Sequence, residues 1–301
     1  MRIVVALGGN ALLQRGEPLT VAGQRRNARL AAQSIAQIAA GNELIVTHGN
    51  GPQIGYLALR AAAMAGTAPQ PLDVLGAETD GMIGYILEQE LANALGHCRV
   101  ATLLTQTEVD PADPAFADAT KFIGPLYDAE DALRLAAQNH WRTAQDGRGW
   151  RRVVPSPEPR GILEIQAIRH LVAGGFITIC AGGGGIPVAR MEAGGYGGVE
   201  CVVDKDYTAA LLADLLGADC LLMLTDVAAV QRDFGTAQAR EIRRARPREL
   251  AQHHFPAGSM GPKVTAACRF VALPGRRACI GRLDQVQQIL AGTAGTTVVG
   301  D

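Results

Sequence analysis

Ile3-Val4-Val5-Ala6-Leu7-Gly8-Gly9-Asn10-Ala11 decides the fold: five apolar residues, the first three β-branched, stop abruptly on paired glycines. A run this short reads as a buried strand, and the glycines let the chain turn sharply at its end. Residues from Thr20 to Ala40 then repeat apolar positions at three and four, Glu43 to Thr47 is a second short apolar run, and Asp73 to Leu95 puts Leu75, Met82, Ile83, Ile86, Leu87 and Leu91 on one helical face. The alternation continues with strand Arg99 to Leu104, helix Glu164 to Ala173, strand Phe176 to Ala181, helix Tyr207 to Leu216, strand Cys220 to Leu224, helix Val264 to Val271 and a terminal run Thr296 to Val299. Strand and helix taking turns imply an α/β protein, a three-layer αβα sandwich around a mainly parallel sheet, with ligands bound at the carboxyl ends of the strands.

Residues from about 110 to 160 break this rhythm. They are rich in Pro, Asp and Arg, contain one helical stretch from Asp128 to Asn139, and hold both tryptophans, Trp141 and Trp150. A disordered linker has little use for tryptophan, so the segment reads as an inserted, protruding subdomain.

The chain has 301 residues, 48% hydrophobic and 19% charged, enough for one large domain or two. A formal net charge of −1 gives no general attraction to nucleic acid or membrane, so partners are expected to be small molecules and any anion site to be local. The six cysteines fall singly and read as free, mostly buried thiols of a reducing compartment. Without HExxH or a Cys and His cluster, no structural transition metal is expected. The apolar run after Arg2 ends too soon for a signal peptide, and the uncharged stretch Leu171 to Ala189 is broken by glycines and Pro187, so a cytoplasmic protein with no membrane span is expected.

Of 28 basic residues only three are lysines: Lys121, Lys205 and Lys263. Lys121 lies in the inserted segment, Lys205 sits between Asp204 and Asp206, and Lys263 closes Gly258-Ser259-Met260-Gly261-Pro262-Lys263. A compact ammonium fits among phosphate oxygens where a planar guanidinium does not, which makes all three candidates for one site. Compositional bias would explain the scarcity of lysine, but it would not explain their setting among glycines, prolines and carboxylates.

The glycine segments carry the rest. Gly8-Gly9-Asn10 and Gly49-Asn50-Gly51 each follow a strand and could cradle an anion through backbone amides, the two strand ends lying side by side; a tight turn accounts for either one alone. Four glycines, Gly182 to Gly185, follow a third strand and suggest close backbone approach to nucleotide phosphates, with Gly183 and Gly184 as candidates. The chain contains neither GxxxxGK[ST] nor GxGxxG, which disfavours a P-loop NTPase or a simple dinucleotide binder. Asp204 at a helix start is either a cap or a nucleotide ligand, Asp206 is the better candidate for holding lysines in register, and Thr225-Asp226 forms either an Asx-type turn or part of the nucleotide site.

These motifs, VVALGGNAL (4–12), HGNGPQIG (48–55), TEVDPADPAF (107–116), TKFIGP (120–125), WRRVVPSPEP (150–159), AGGGGIPV (181–188), VVDKD (202–206), LLMLTDV (221–227) and HFPAGSMGPK (254–263), resemble the amino acid kinase family over essentially the whole chain, in the branch that acts on carbamate. The resemblance implies an eight-stranded sandwich, a phosphoryl-acceptor half over residues 1–180, a nucleotide half over 181–301, and a homodimer. It implies reversible phosphoryl transfer between carbamoyl phosphate and ADP, giving carbamate and ATP with Mg²⁺, in the cytoplasm and in either arginine or purine breakdown. By the same resemblance Lys121, Lys205 and Lys263 surround the phosphoryl group, Asp206 organises them, and Gly8, Gly9, Asn10, Gly49, Asn50 and Gly51 form the acceptor side. Gly183, Gly184, Asp204, Thr225, Asp226, Met260 and Gly261 would face the nucleotide. Many family members carry a lysine just before the paired glycines; Ala6-Leu7 stands there instead, with Lys121 as its substitute. Gln231 and the Gly281-Arg282 pair also depart from the family pattern. Another small acid as acceptor, or a noncatalytic sensor on the same fold, are the alternatives.

Overall fold

The computed structural model describes residues 1–13, 16–63, 70–256 and 258–301. Eight strands make one sheet: β1 (Arg2–Leu7), β2 (Glu43–His48), β3 (Val100–Leu103), β4 (Ile177–Cys180), β5 (Cys220–Thr225), β6 (Arg244–Ala245), β7 (Arg277–Arg282) and β8 (Thr296–Val299), in the spatial order β6-β8-β7-β5-β1-β2-β4-β3. Every neighbouring pair is parallel except β7 with β8.

The opening run explains the layers. Alternate residues of β1 point to opposite faces. Ile3, Val5 and Leu7 join Ala28, Ala31 and Ile35 of helix Val21–Ala36 and Ile83 and Leu87 of helix Leu72–Leu95 in one core. Val4 and Ala6 join Ile168, Leu212 and Phe270 in the other, from helices Ile165–Ala173, Lys205–Leu215 and Met260–Phe270. With helices on both faces the strand has no wet side, which is why it reads as an unbroken apolar run. The first long helix starts where Thr20 accepts a hydrogen bond from the Gly23 amide at 3.1 Å, a cap that contributes about 1 kcal/mol.

Three features differ from expectation. Helix Gly51–Ala63, not among the helices expected above, begins directly after β2 under glycines and a proline; Pro52 is tolerated there because the first-turn amides have no partner inside the helix. The inserted segment is more than one helix. Strands Lys121–Tyr127, Gly149–Val154 and Arg142–Asp146 form a three-stranded sheet beside helix Ala129–Asn139, and this lobe springs from a second, four-stranded sheet. There Gln106–Val109 pairs on one side with Pro159–Ile162 and on the other with Ile186–Arg190, so the strand after the four-glycine loop joins this sheet and not the main one.

The six cysteines are free thiols: Cys180, Cys201, Cys220 and Cys279 are buried, Cys268 is half-buried and Cys98 is exposed. Among the described residues no helix is long and apolar enough to cross a membrane.

Candidate active site

Sheet register brings the first two glycine turns together. Leu7 lies between His48 and Leu224, so the loops leaving β1, β2 and β5 emerge at one level. The amide of Gly8 donates to the Leu224 carbonyl at 2.8 Å and that of Gly49 to the Leu7 carbonyl at 3.0 Å. Those two amides extend the sheet and do not face a ligand. A Cβ on Gly8 would stand 3.0 Å from the Leu224 carbonyl oxygen, and one on Gly49 would stand 3.0 Å from the Gly9 nitrogen and 3.3 Å from Lys205 Cδ. Gly8 and Gly49 are therefore glycine to let three chain segments touch. Gly9 and Gly51, by contrast, have no atom within 4 Å of a would-be Cβ and border open space. Asn10 contributes backbone to the short turn Gly9–Ala11. The Asn50 side chain is buried and donates to Thr79 Oγ1 at 2.8 Å.

The four-glycine loop packs against protein. A Cβ at Gly182 would stand 2.2 Å from Asp80 Oδ1, at Gly183 2.1 Å from Asn50 Nδ2, at Gly184 2.3 Å from the Val203 carbonyl oxygen and at Gly185 2.1 Å from Thr107 Oγ1, and the last three glycines have positive φ. This packing accounts for the glycines by itself and puts Gly183 beside the acceptor loop. Thr208 and Thr107, neither singled out from sequence, each hold the Gly184 carbonyl at 2.9 Å. Beneath the loop, the fully buried His48 faces Asp80 across 3.5 Å, with Nδ1 3.2 Å from the Gly49 carbonyl.

The three lysines meet at the start of helix Lys205–Leu215. Asp204 caps that helix, its Oδ1 accepting from the Asp206 amide at 2.9 Å, while its Oδ2 takes the Lys121 ammonium. Asp206 divides its carboxylate between Lys205, 2.6 Å from Oδ1, and Lys263, 3.1 Å from Oδ2. Asp204 is thus the cap that one reading expected, and its second oxygen holds a lysine. The side chains of Lys205 and Lys263 are 12% and 11% exposed, that of Lys121 31%. Burial alone would push the Asp206 carboxyl up, but the Lys205 and Lys263 ammoniums override it and hold the group well below the usual carboxylate range. Burial pushes Lys205 below the ordinary lysine value, Asp206 opposes that, and the charge of Lys263 adds to it. Two carboxylates in the first turn are favoured by the helix dipole. Each ammonium has three hydrogens and uses one on a carboxylate, so the cluster keeps donors for a further anion.

The other predicted positions make mostly local contacts. Thr225, at the end of β5, donates to its neighbour Asp226 at 3.1 Å, as a local turn would. The Gly261 amide is taken by the Pro256 carbonyl at 2.9 Å, and Met260 packs on the core, so their helix chiefly serves to carry Lys263. Gly281 gives room to Ile289 and Gly295, Arg282 pairs with Asp284, and Gln231 lies in the hairpin strand Val230–Arg232. Both oxygens of Asp204 and of Asp206 are taken by amide or ammonium hydrogens, and among the described residues no group of three His, Cys, Asp or Glu is placed to hold a metal. These residues do not build a resident Mg²⁺ cage.

Glycine turns at the ends of parallel strands, with ammonium groups gathered over them, define a phosphotransferase of the αβα class. The chain belongs to the amino acid kinase family, which it matches over residues 1–281. Within that family it is similar to the carbamate kinase of Rhizobium meliloti (strain 1021), 52% identical over 301 residues covering 99% of this chain and 93% of the relative. The carbamate kinase from Giardia lamblia bound to citric acid superposes with a TM-score of 0.93 at 39% identity, covering 100% of this chain and 98% of that one. The same Giardia enzyme bound to AMP-PNP gives 0.90 at 39% identity, over 100% and 98% of the two chains.

Proposed function

We infer that the chain works as a carbamate kinase, moving a phosphoryl group reversibly between carbamoyl phosphate and ADP. In the ATP-forming direction the phosphorus–oxygen bond to the carbamoyl group breaks, a bond to the ADP β-phosphate oxygen forms, and carbamate leaves, to take up a proton and fall apart into ammonia and CO₂. One observation carries the reading of the site: all three lysines of the chain, from positions 121, 205 and 263, converge on Asp204 and Asp206 beside the glycine turns.

The carbamate oxygen is anionic already, so the reverse reaction needs no base to remove a proton from it. The chain's task is to align donor and acceptor in line and to offset the charge spread over the transferring oxygens. Lys121, Lys205 and Lys263 supply that charge; Asp206 keeps two of them from repelling each other, and Asp204 holds the third. Gly9 and Gly51, bordering open space, form the floor of the acceptor side, while Gly8, Gly49, Asn50, Gly183 and Gly184 shape it from beneath. The nucleotide would bind along the ends of β5 and helix Met260–Phe270, where Thr225, Asp226, Met260 and Gly261 lie, and Mg²⁺ accompanying it would offset part of the phosphate charge. A cytoplasmic homodimer serving arginine metabolism accords with this activity. Incubating the purified protein with ADP, Mg²⁺ and carbamoyl phosphate should yield ATP. ATP consumption with an N-acetylated amino acid or a phosphonate, but not with carbamate, would point to another acceptor, and nucleotide binding without turnover to a sensor.

A further inference from the structure

Lys121 differs from the other two lysines in arriving on a separate lobe, and the lobe touches the body through two glycines. Gly55 lies inside helix Gly51–Ala63, and Gly124 in strand Lys121–Tyr127, three residues after the lysine. A Cβ built on Gly55 would lie 1.9 Å from the Gly124 Cα and 2.1 Å from its nitrogen, whereas ordinary contact begins at 3.4 Å. Both obstructing atoms are backbone, so no rotamer change relieves the overlap. Gly124 itself sits at φ +77°. Around this contact Ile123 of the lobe packs into a small core with Ile54, Ala58, Leu72 and Leu75, and Lys121 pairs in register with Val154, another member of that core. The stretch between the lysine and the glycine contact is therefore tied to the body, and a shift at Gly124 moves Lys121 with it.

We propose that Gly55 is a positioning residue for phosphoryl transfer: its bare Cα lets the lobe strand seat on the helix, and this seat sets the reach of Lys121 to Asp204 and the transferring phosphoryl group. Alanine is the better helix former, so a glycine inside this helix is retained against local preference, and the Gly124 backbone gives the reason. The proposal rests on the reading of Lys121 given above. A methyl at residue 55 must lift the strand, and displacement of a reacting group by about 1 Å can cost about a hundredfold in rate.

The test is a kinetic cycle of Gly55→Ala, Lys121→Ala and the double variant, with thermal unfolding followed for each. Gly55→Ala should still unfold cooperatively, at a lower temperature, lose roughly 10- to 100-fold in kcat, and keep its KM for ADP; the double variant should be no slower than Lys121→Ala alone, because the two changes remove one contribution. A Gly55→Ala enzyme at the wild-type rate, or a double variant slowed by the product of the single effects, overturns the proposal. Retention of the wild-type rate by Lys121→Ala removes instead the site reading beneath it, and so separates the two failures. If Gly55→Ala does not fold, Gly124→Ala takes its place in the cycle, since alanine adopts φ +77° only with strain and relieving it moves the same strand, and the same two outcomes decide.

Discussion

Two parts of the ammonium cluster are built in opposite ways. Lys205 and Lys263 come from helices packed on one face of the main sheet and share one carboxylate, Asp206, deep in the protein. Lys121 comes from a lobe outside the main sheet, is about a third exposed, and meets the other carboxylate, Asp204. The first pair is fixed by folding of the sandwich and the third charge is delivered by docking of the lobe. Preorganised charge and access for a substrate make conflicting demands, and dividing the charge between a rigid base and a separate arm meets both.

The sharpest way to break this contrast is to remove the charges. Lys263→Ala and Lys121→Ala should both lower kcat by about a hundredfold or more while thermal unfolding stays cooperative. A wild-type rate in either would exclude that lysine. Asp206→Asn should separate the two halves in stability as well, since it leaves two ammoniums facing each other without their shared counter-charge, and loss of one partner from a buried ion pair costs about 3–5 kcal/mol; chemical denaturation measures it. Asp204→Asn should cost much less, because asparagine caps a helix about as well as aspartate, and its main effect should be a loss of kcat smaller than that of Lys121→Ala.

Acid and alkali probe the fixed pair further. Asp206 is held below the ordinary carboxylate range, so its contribution to stability is present above about pH 4 and lost as pH falls toward its folded value. Denaturation curves of Asp206→Asn should lack that share of the acid slope. Lys205 is displaced downward, so between its folded and unfolded values the unfolded chain holds more protons and this residue's contribution to stability rises with pH. Catalysis should do the reverse, kcat falling as the ammonium is lost below the pH at which a free lysine titrates, which a pH profile of kcat measures. The smallest effect belongs to the lobe itself. Asp128 caps helix Ala129–Asn139 by accepting from the Asp131 amide at 2.8 Å, and Asp128→Ala should cost about 1 kcal/mol, seen as faster amide exchange confined to that helix.

Sequence disclosed the body better than the arm. Ile3 to Leu7, Glu43 to Thr47, Phe176 to Ala181 and Cys220 to Leu224 lie on strands buried on both faces, and apart from Glu43 at an exposed end they are apolar but for Thr47 and Thr178. β7 escaped notice because Arg277, Gly281 and Arg282 interrupt its apolar stretch, although Ala278, Cys279 and Ile280 are fully buried. The lobe strands Arg142–Asp146 and Gly149–Val154 are only partly covered and carry arginines, some lying over rings such as Arg152 on Trp141, so neither simple alternation nor an apolar run marks them. Lysine scarcity pointed to three positions that the fold brings together, because the remaining positive charge is arginine. Glycine was an ambiguous one. Gly9 and Gly51 open toward solvent while Gly8, Gly49 and Gly182 to Gly185 yield to neighbouring protein, and only register and packing tell these apart.

The place of β1 in the sheet has a consequence for synthesis. Its amide at Arg2 bonds Asp219 across 217 residues of chain, and Ile3 stands opposite Cys220. One flank of the strand can join β2 early, but the other waits until β5 has left the ribosome. During that interval an apolar ribbon has a raw edge, a state prone to sticking to other nascent chains, so chaperone binding during translation should be concentrated before residue 225 emerges.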